Sequence, residues 1–181
     1  MKTITNYLSV LGVFSMFMIA IPMYAQTSPQ LTDPEIASVA VVANQIDIDF
    51  AKIAMNKSKN KEVLDFASRM VEDHTAVINQ AVALVTKLKV VPKDNAVSKS
   101  LLDQAAETKA KLKKLTNKNF DKFYVENEVA YHKQVIGAVN TLLIPQSQNG
   151  ELKELLSNVV PALEVHLGHA EMLQKKMASK K

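Results

Sequence analysis

Histidine and carboxylate side chains interrupt the apolar stripes of several helical segments in this 181-residue chain. His74 follows Met70 by four residues and precedes Val77 by three. Because each residue of an α-helix turns about 100° around the axis, this spacing places the imidazole in the middle of the apolar stripe. Similar spacing places further ionisable residues on the apolar faces of three other helical segments: Asp47, Glu128, His132 and His166.

Such positions are costly for ionisable groups unless the groups are paired, neutralised or bound to a cation. Imidazole and carboxylate together suit zinc, iron, copper or manganese. We therefore predict that a transition-metal ion is bound by the three histidines and that a carboxylate completes the ligand set: His74, His132 and His166, with Glu128 or Asp47. An enzymatic version of this site would carry out redox or peroxide-detoxifying chemistry at the metal.

A purely structural polar layer is the alternative interpretation. In that case the same side chains form a buried hydrogen-bond network that fixes helix register, and the protein is a non-catalytic envelope or stress-response protein that binds a partner. The Glu-x-x-His pairs of di-iron carboxylate bundles do not occur in the sequence. Asp73 lies at a stripe edge, where a carboxylate can orient a histidine ring. The sequence leaves open whether the protein is an enzyme.

The composition excludes several other kinds of site. The chain has no cysteine, which excludes disulfides, thiolate zinc sites and thiol nucleophiles. Its net charge of +4, from 22 basic and 18 acidic residues, is too mild and scattered to indicate a nucleic-acid partner. One lysine cluster is best explained as a solvated helix face, with weak contact to an anionic membrane surface as the alternative: Lys109, Lys111, Lys113, Lys114, Lys118 and Lys122. No feature of the sequence indicates the oligomeric state.

The first 25 residues have the pattern of a secretory signal peptide. Lys2 gives a basic start, an apolar run covers residues 7–21, and a cleavage site follows Ala25. The apolar run is shorter than the roughly 20 residues of a membrane-spanning helix, which favours cleavage over a retained anchor. We therefore expect a signal peptide at residues 1–25, one domain at residues 26–181, and a periplasmic or secreted location.

The rest of the chain has helical periodicity and almost no strand pattern. Two long helical pairs joined by a shorter helix near residues 97–115 predict an all-α, ferritin-like four-helix bundle with one extra crossover helix. If the short helix carries the chain back along the bundle, the central polar residues lie about 18–22 Å from the same end, at about 1.5 Å per residue: Asp47, His74, His132 and His166. The sequence thus predicts one shared polar layer.

Four sequence blocks carry a family resemblance: NQIDIDFAKIA at 44–54, KEVLDFASRMVEDHT at 61–75, NFDKFYVENEVAYHKQVI at 119–136 and VPALEVHLGHAEML at 160–173. They resemble the bacterial domain-of-unknown-function family DUF4142, whose members are often labelled predicted outer membrane proteins. The resemblance implies an exported, ferritin-like protein without an established reaction. Its polar positions fall on residues of all four long helices, with aspartates in place of the usual glutamates on the first: Asp73, His74, His132 and His166, with Asp47 and Asp49.

Overall fold

The polar layer lies inside a bundle of long helices. The computed structural model describes residues 29–179, so the predicted signal peptide at 1–25 lies outside the described residues. The described elements are α1 (Asp33–Lys57), α2 (Lys61–Leu88), α3 (Ala96–Lys114), α4 (Asn117–Ala138), a π-helical turn (Val139–Leu143), α5 (Ile144–Gln146) and α6 (Gly150–Ser179). This confirms the predicted all-α class. Within residues 29–179, no helix combines the length and apolar character needed to span a bilayer.

Polar side chains fix where the first three helices begin. At the start of α1, the Thr32 backbone N–H donates to the Glu35 carboxylate at 3.0 Å. The Asn60 side chain accepts from the Glu62 N–H at the start of α2, and Asn95 accepts from two N–H groups at the start of α3. These side chains satisfy backbone donors that have no partner inside the helix, so the boundaries follow directly from residue type.

The third helix is the crossover element of the bundle. α1 and α2 form one antiparallel pair, and α4 and α6 form the other. At one end of α1 the Lys93 N–H donates to the Pro34 carbonyl at 2.9 Å. At the other end the Lys57 ammonium donates to the Lys113 carbonyl. α3 therefore runs the length of α1 and carries the chain to the end of the bundle where α4 begins.

Two apolar clusters lie on either side of the polar layer. One is built around aromatic side chains near the α1–α2 turn, among them Phe50, Phe66 and Phe120. The other contains aliphatic side chains from the opposite end, among them Ile36 and Leu156. Burial of these side chains provides the stabilisation that offsets the cost of the polar layer between them.

The fourth long helix does not end as a regular α-helix. Residues Val139–Leu143 form a π-helical turn that leads directly into α5. Pro145 has no N–H to donate to the Thr141 carbonyl, and its ring would clash with that carbonyl in a regular helix. The Thr141 hydroxyl also donates to the Gly137 carbonyl at 2.8 Å, a contact that bends helices. Both effects favour a wider turn here.

Candidate metal centre

The structure brings the predicted site residues together from four helices. All are at most 4% exposed: Asp47 on α1, His74 on α2, Glu128 and His132 on α4, and His166 on α6. The imidazole centroids of His74 and His132 are 5.8 Å apart, and the His166 centroid lies 5.2 Å and 5.5 Å from them. These residues lie in one layer, as the sequence predicts. Their role as metal ligands stays a prediction.

The orientation of the His74 ring is fixed by Asn44 on α1. The Asn44 amide nitrogen donates to the Ala40 carbonyl at 2.8 Å, which leaves the amide oxygen facing the ring. His74 Nδ1 lies 2.7 Å from that oxygen. Because an amide oxygen only accepts hydrogen bonds, His74 Nδ1 carries a proton, and in the neutral ring Nε2 has the free lone pair.

Hydrogen bonds to other acceptors orient the remaining two rings. His132 Nδ1 donates to the Glu128 backbone carbonyl at 3.0 Å. His166 Nε2 lies 2.8 Å from Asp73 Oδ2, which also accepts from the Arg69 guanidinium at 3.1 Å. In the neutral rings the free lone pairs are therefore on His132 Nε2 and His166 Nδ1. Metal-bound histidines almost always have this arrangement, in which the second ring nitrogen donates to an amide, carbonyl or carboxylate oxygen.

The three histidines form one compact group, and the Asp47 carboxylate lies beside two of them. One ligand nitrogen from each of the three histidines lies within 4.8 Å of the other two. Asp47 Oδ2 lies 2.8 Å from His74 Nε2 and 3.4 Å from His132 Nε2. Despite these short distances, neither oxygen of Asp47 is aligned with a ring N–H, and His74 Nε2, His132 Nε2 and His166 Nδ1 have no hydrogen-bond partner. The centre of the layer is thus rich in acceptors.

Glu128 and Asp47 are buried carboxyl groups with opposite pKa shifts. Burial raises the pKa of Glu128 well above its usual range, and the nearby Asp47 carboxylate raises it further. Burial alone would also raise the pKa of Asp47, but the adjacent His74 and His132 rings outweigh burial and lower it to about 2. Asp47 is therefore the anionic member of the pair, and Glu128 is the neutral one. Together with His132 they form a second compact group within 4.8 Å.

The protonation states of His132 and His166 also suit metal binding. Burial lowers the pKa of His132, and the neighbouring Asp47 only partly opposes this effect. Burial likewise lowers the pKa of His166, with Asp73 acting in the opposite direction. Both rings are consequently neutral at pH 7, and a neutral imidazole is the form that binds a metal ion.

Sequence reasoning missed one member of the site, Asn44, and left open which ring Asp73 orients. Asn44 lies three residues before Asp47, on the same face of α1, and this spacing is the signal that could have identified it. Asp73 orients a ring as expected, but the ring belongs to His166 on α6 and not to the adjacent His74. Consecutive residues of a helix point about 100° apart, so Asp73 faces a different helix from His74.

Two solved structures are similar to this chain. One is a DUF305 protein from Streptomyces coelicolor that is assigned as secreted; it shares 12% identity over 80% of this chain and 92% of its own, with a TM-score of 0.67. The other is CopM in the Cu(II)-bound form, which shares 16% identity over 82% of this chain and 99% of its own, with a TM-score of 0.62. At these identities the likeness shows the fold.

The sequence comparison identifies the family. No curated protein matches the chain in sequence. The family model described as "Domain of unknown function (DUF4142)" matches residues 20–173, which include every residue of the polar layer. The chain therefore belongs to the DUF4142 family.

Proposed function

We propose that this protein is an exported protein that binds one transition-metal ion through three histidines and a carboxylate. The ligand atoms would be His74 Nε2, His132 Nε2, His166 Nδ1 and an oxygen of Asp47. The observation that supports the proposal is the arrangement of the imidazole protons: each ring donates its other N–H to a separate acceptor, and its free nitrogen is buried without a hydrogen-bond partner. A buried cluster of lone pairs is stabilised by a cation.

A structural network accounts for less of this geometry. If His74 Nε2 were protonated, it would form a buried ion pair with Asp47, from which it is 2.8 Å away. His132 Nε2 and His166 Nδ1 would still be buried acceptors without a donor. Each such group costs about 1–3 kcal/mol. One bound ion satisfies all the acceptors together, which is why metal binding is the better-supported function.

The donor set favours copper(II) and zinc over the other candidate metals. Imidazole nitrogen suits both ions, and copper(II) forms the strongest complexes in the divalent series. The similar fold of CopM, described in a Cu(II)-bound form, supports testing copper first. A bound ion would supply Lewis-acid chemistry, and copper or iron would also supply redox chemistry. The protein's contribution is to orient the rings, hold Asp47 as an anion and exclude water.

The proposed export rests on the first 25 residues and agrees with the secreted assignment of the DUF305 protein. A periplasmic or extracellular location exposes a protein to metal ions without requiring cysteine ligands, which such oxidising compartments convert to disulfides.

Metal titration of a tag-free protein tests the binding site. The protein is stripped with a chelator, and copper(II) and zinc are titrated by calorimetry, with bound metal measured after dialysis. We expect one ion per chain in the wild type and at least about a 100-fold loss of affinity in His132→Gln and in His166→Gln. His169→Gln is the matched control, because the His169 ring packs against Phe66 and lies outside the three-histidine group. Circular dichroism establishes that each variant is folded.

Two results would contradict the proposal. A folded wild-type protein that binds neither copper nor zinc would favour the structural network. Equal affinities in His132→Gln, His166→Gln and His169→Gln would place any bound metal elsewhere on the chain.

A further inference from the structure

An apolar cavity of about 460 Å³ extends from the histidine layer toward one end of the bundle. At its inner end it reaches the three histidines and Asp47. Along the rest of its length the walls consist almost entirely of alanine, valine and leucine side chains from α1, α2, α6 and the π-helical turn. Away from the candidate metal site the walls are therefore mainly apolar, apart from the Gln80 and Gln134 side chains.

The cavity is long and narrow. On α2 the lining extends from His74 to Val85, on α1 from Asp47 back to Ala37, and on the fourth helix from His132 to Leu143. The end residues of each span are 10 or 11 positions apart, which corresponds to about 15 Å along a helix axis. The volume is about three times that of an engineered apolar cavity of about 150 Å³ that holds benzene. These dimensions suit one extended hydrocarbon chain.

Small side chains at facing positions create this space. Ala40 on α1, Ala81 on α2 and Ala162 on α6 all line the cavity, as does Val139 in the π-helical turn. Protein interiors are normally packed without voids of this size, because unfilled space forfeits dispersion contacts. A pocket of this volume with apolar walls and a few convergent polar groups is typical of a small-molecule site.

The polar end of the cavity suits an anionic head group. A divalent ion held by neutral imidazoles and the Asp47 carboxylate has a net charge of +1, so one more anion is favoured as a ligand. Arg69 and Asp73 also line the cavity, and because they form an ion pair at 3.1 Å they leave this net positive charge unchanged.

We propose that the cavity binds a medium-chain carboxylic acid, with the alkyl chain along the apolar walls and the carboxylate at the metal. This inference rests on the proposed function, since the metal supplies the positive charge at the inner end. The alkyl chain would occupy the apolar part of the cavity, which a bound metal ion alone does not fill.

Binding of dodecanoate to zinc-loaded protein tests the proposal. Zinc content is measured first, and native mass spectrometry and calorimetry then compare dodecanoate, dodecanol and acetate below micellar concentrations. We expect one dodecanoate per zinc-loaded chain, bound at least about tenfold more tightly than dodecanol or acetate. Removal of zinc should weaken dodecanoate by at least about tenfold, since the head group loses its ligand bond.

Cavity-filling variants locate the bound chain. Ala81→Leu and Ala162→Leu place extra methyl groups in the cavity and should weaken dodecanoate at least about fivefold while zinc content stays unchanged. Ala106→Leu is the matched control, because Ala106 is an exposed residue of α3 and does not line the cavity. Ala162 is itself exposed, so its variant stays informative if Ala81→Leu fails to fold.

The possible failures are distinguishable. Zinc-loaded protein that does not bind dodecanoate, or binds it equally in all three alanine variants, overturns the cavity proposal and leaves metal binding intact. Protein that retains no zinc overturns the proposed function and, with it, the anion site.

Discussion

Replacement of Glu128 by glutamine should change how the stability of the metal-free protein depends on pH. Glu128 is fully buried, and burial beside the Asp47 carboxylate raises its pKa well above the usual range. The folded protein thus holds the carboxyl proton at neutral pH, whereas the unfolded chain releases it above about pH 4.5. Glutamine has nearly the same shape and no proton to release, so it isolates this effect.

The sign and size of the effect follow from proton counting. Where the folded state binds one more proton than the unfolded chain, the free energy of unfolding falls by about 1.4 kcal/mol per pH unit as pH rises. This loss continues until the Glu128 carboxyl of the folded protein ionises. His132 and His166 act in the opposite direction, because their pKa values are lowered in the folded state. Their contribution is present above pH 6.5 and is lost as pH falls through their folded pKa values.

The histidine contribution is common to the wild type and Glu128→Gln, so the difference between the two proteins isolates Glu128. Above about pH 5 the wild type should lose stability relative to Glu128→Gln by an amount that approaches about 1.4 kcal/mol per pH unit, until the Glu128 carboxyl of the folded protein ionises. Urea unfolding with a chelator present, at half-unit pH intervals, measures both curves. Glu126→Gln is the matched control, because Glu126 lies on the same helix and is exposed.

The reasoning is refuted if the wild type and Glu128→Gln have parallel curves between about pH 5 and 6. That result would mean that Glu128 is already ionised in the folded protein and that the two carboxylates of the layer share the space as anions.

Three further predictions concern the groups that support the site. Asp73→Asn should weaken copper or zinc binding about 10- to 100-fold in chelator competition, since the His166 N–H loses its carboxylate acceptor; unchanged affinity would show that this contact does not orient the ligand. Phe66→Ala should lower the free energy of unfolding by about 3–5 kcal/mol in urea, because Phe66 is 0% exposed, and a loss under 1 kcal/mol would contradict its place in the core. Asn60→Ala should cost about 1 kcal/mol in the same assay through loss of the α2 cap, whereas Asn60→Asp should retain most of the stability.

The polar layer was predictable because the direction of a side chain around a helix axis, and its height along that axis, depend only on residue number. The positions of Asp47 and His74 relative to their apolar neighbours determine which face they occupy, and the rise per residue determines their level. Once α3 is accepted as a crossover helix, the meeting of these residues with His132 and His166 follows without knowledge of any contact.

Contacts between helices were not predictable in the same way. The amide of Asn44 reaches His74 from α1, and Asp73 reaches His166 on α6, although neither pair is close in sequence. Such contacts depend on the rotation and separation of neighbouring helices, which the period of one helix does not define. The π-helical turn at Val139–Leu143 and the cavity beside it depend in the same way on several weak local effects and on facing side-chain volumes.

The difference between a metal site and a structural network also lies beyond the sequence, since both use the same residues. The two differ in the balance of donors and acceptors. A network that fixes helix register is stable when each buried acceptor meets a donor. Here Asn44, the Glu128 carbonyl and Asp73 each take the N–H of one imidazole, so the centre retains three ring lone pairs with no donor aligned to them, beside an Asp47 carboxylate that accepts from the neutral Glu128 carboxyl. This excess of acceptors is what a cation would neutralise, and it arises from residues outside the ligand set.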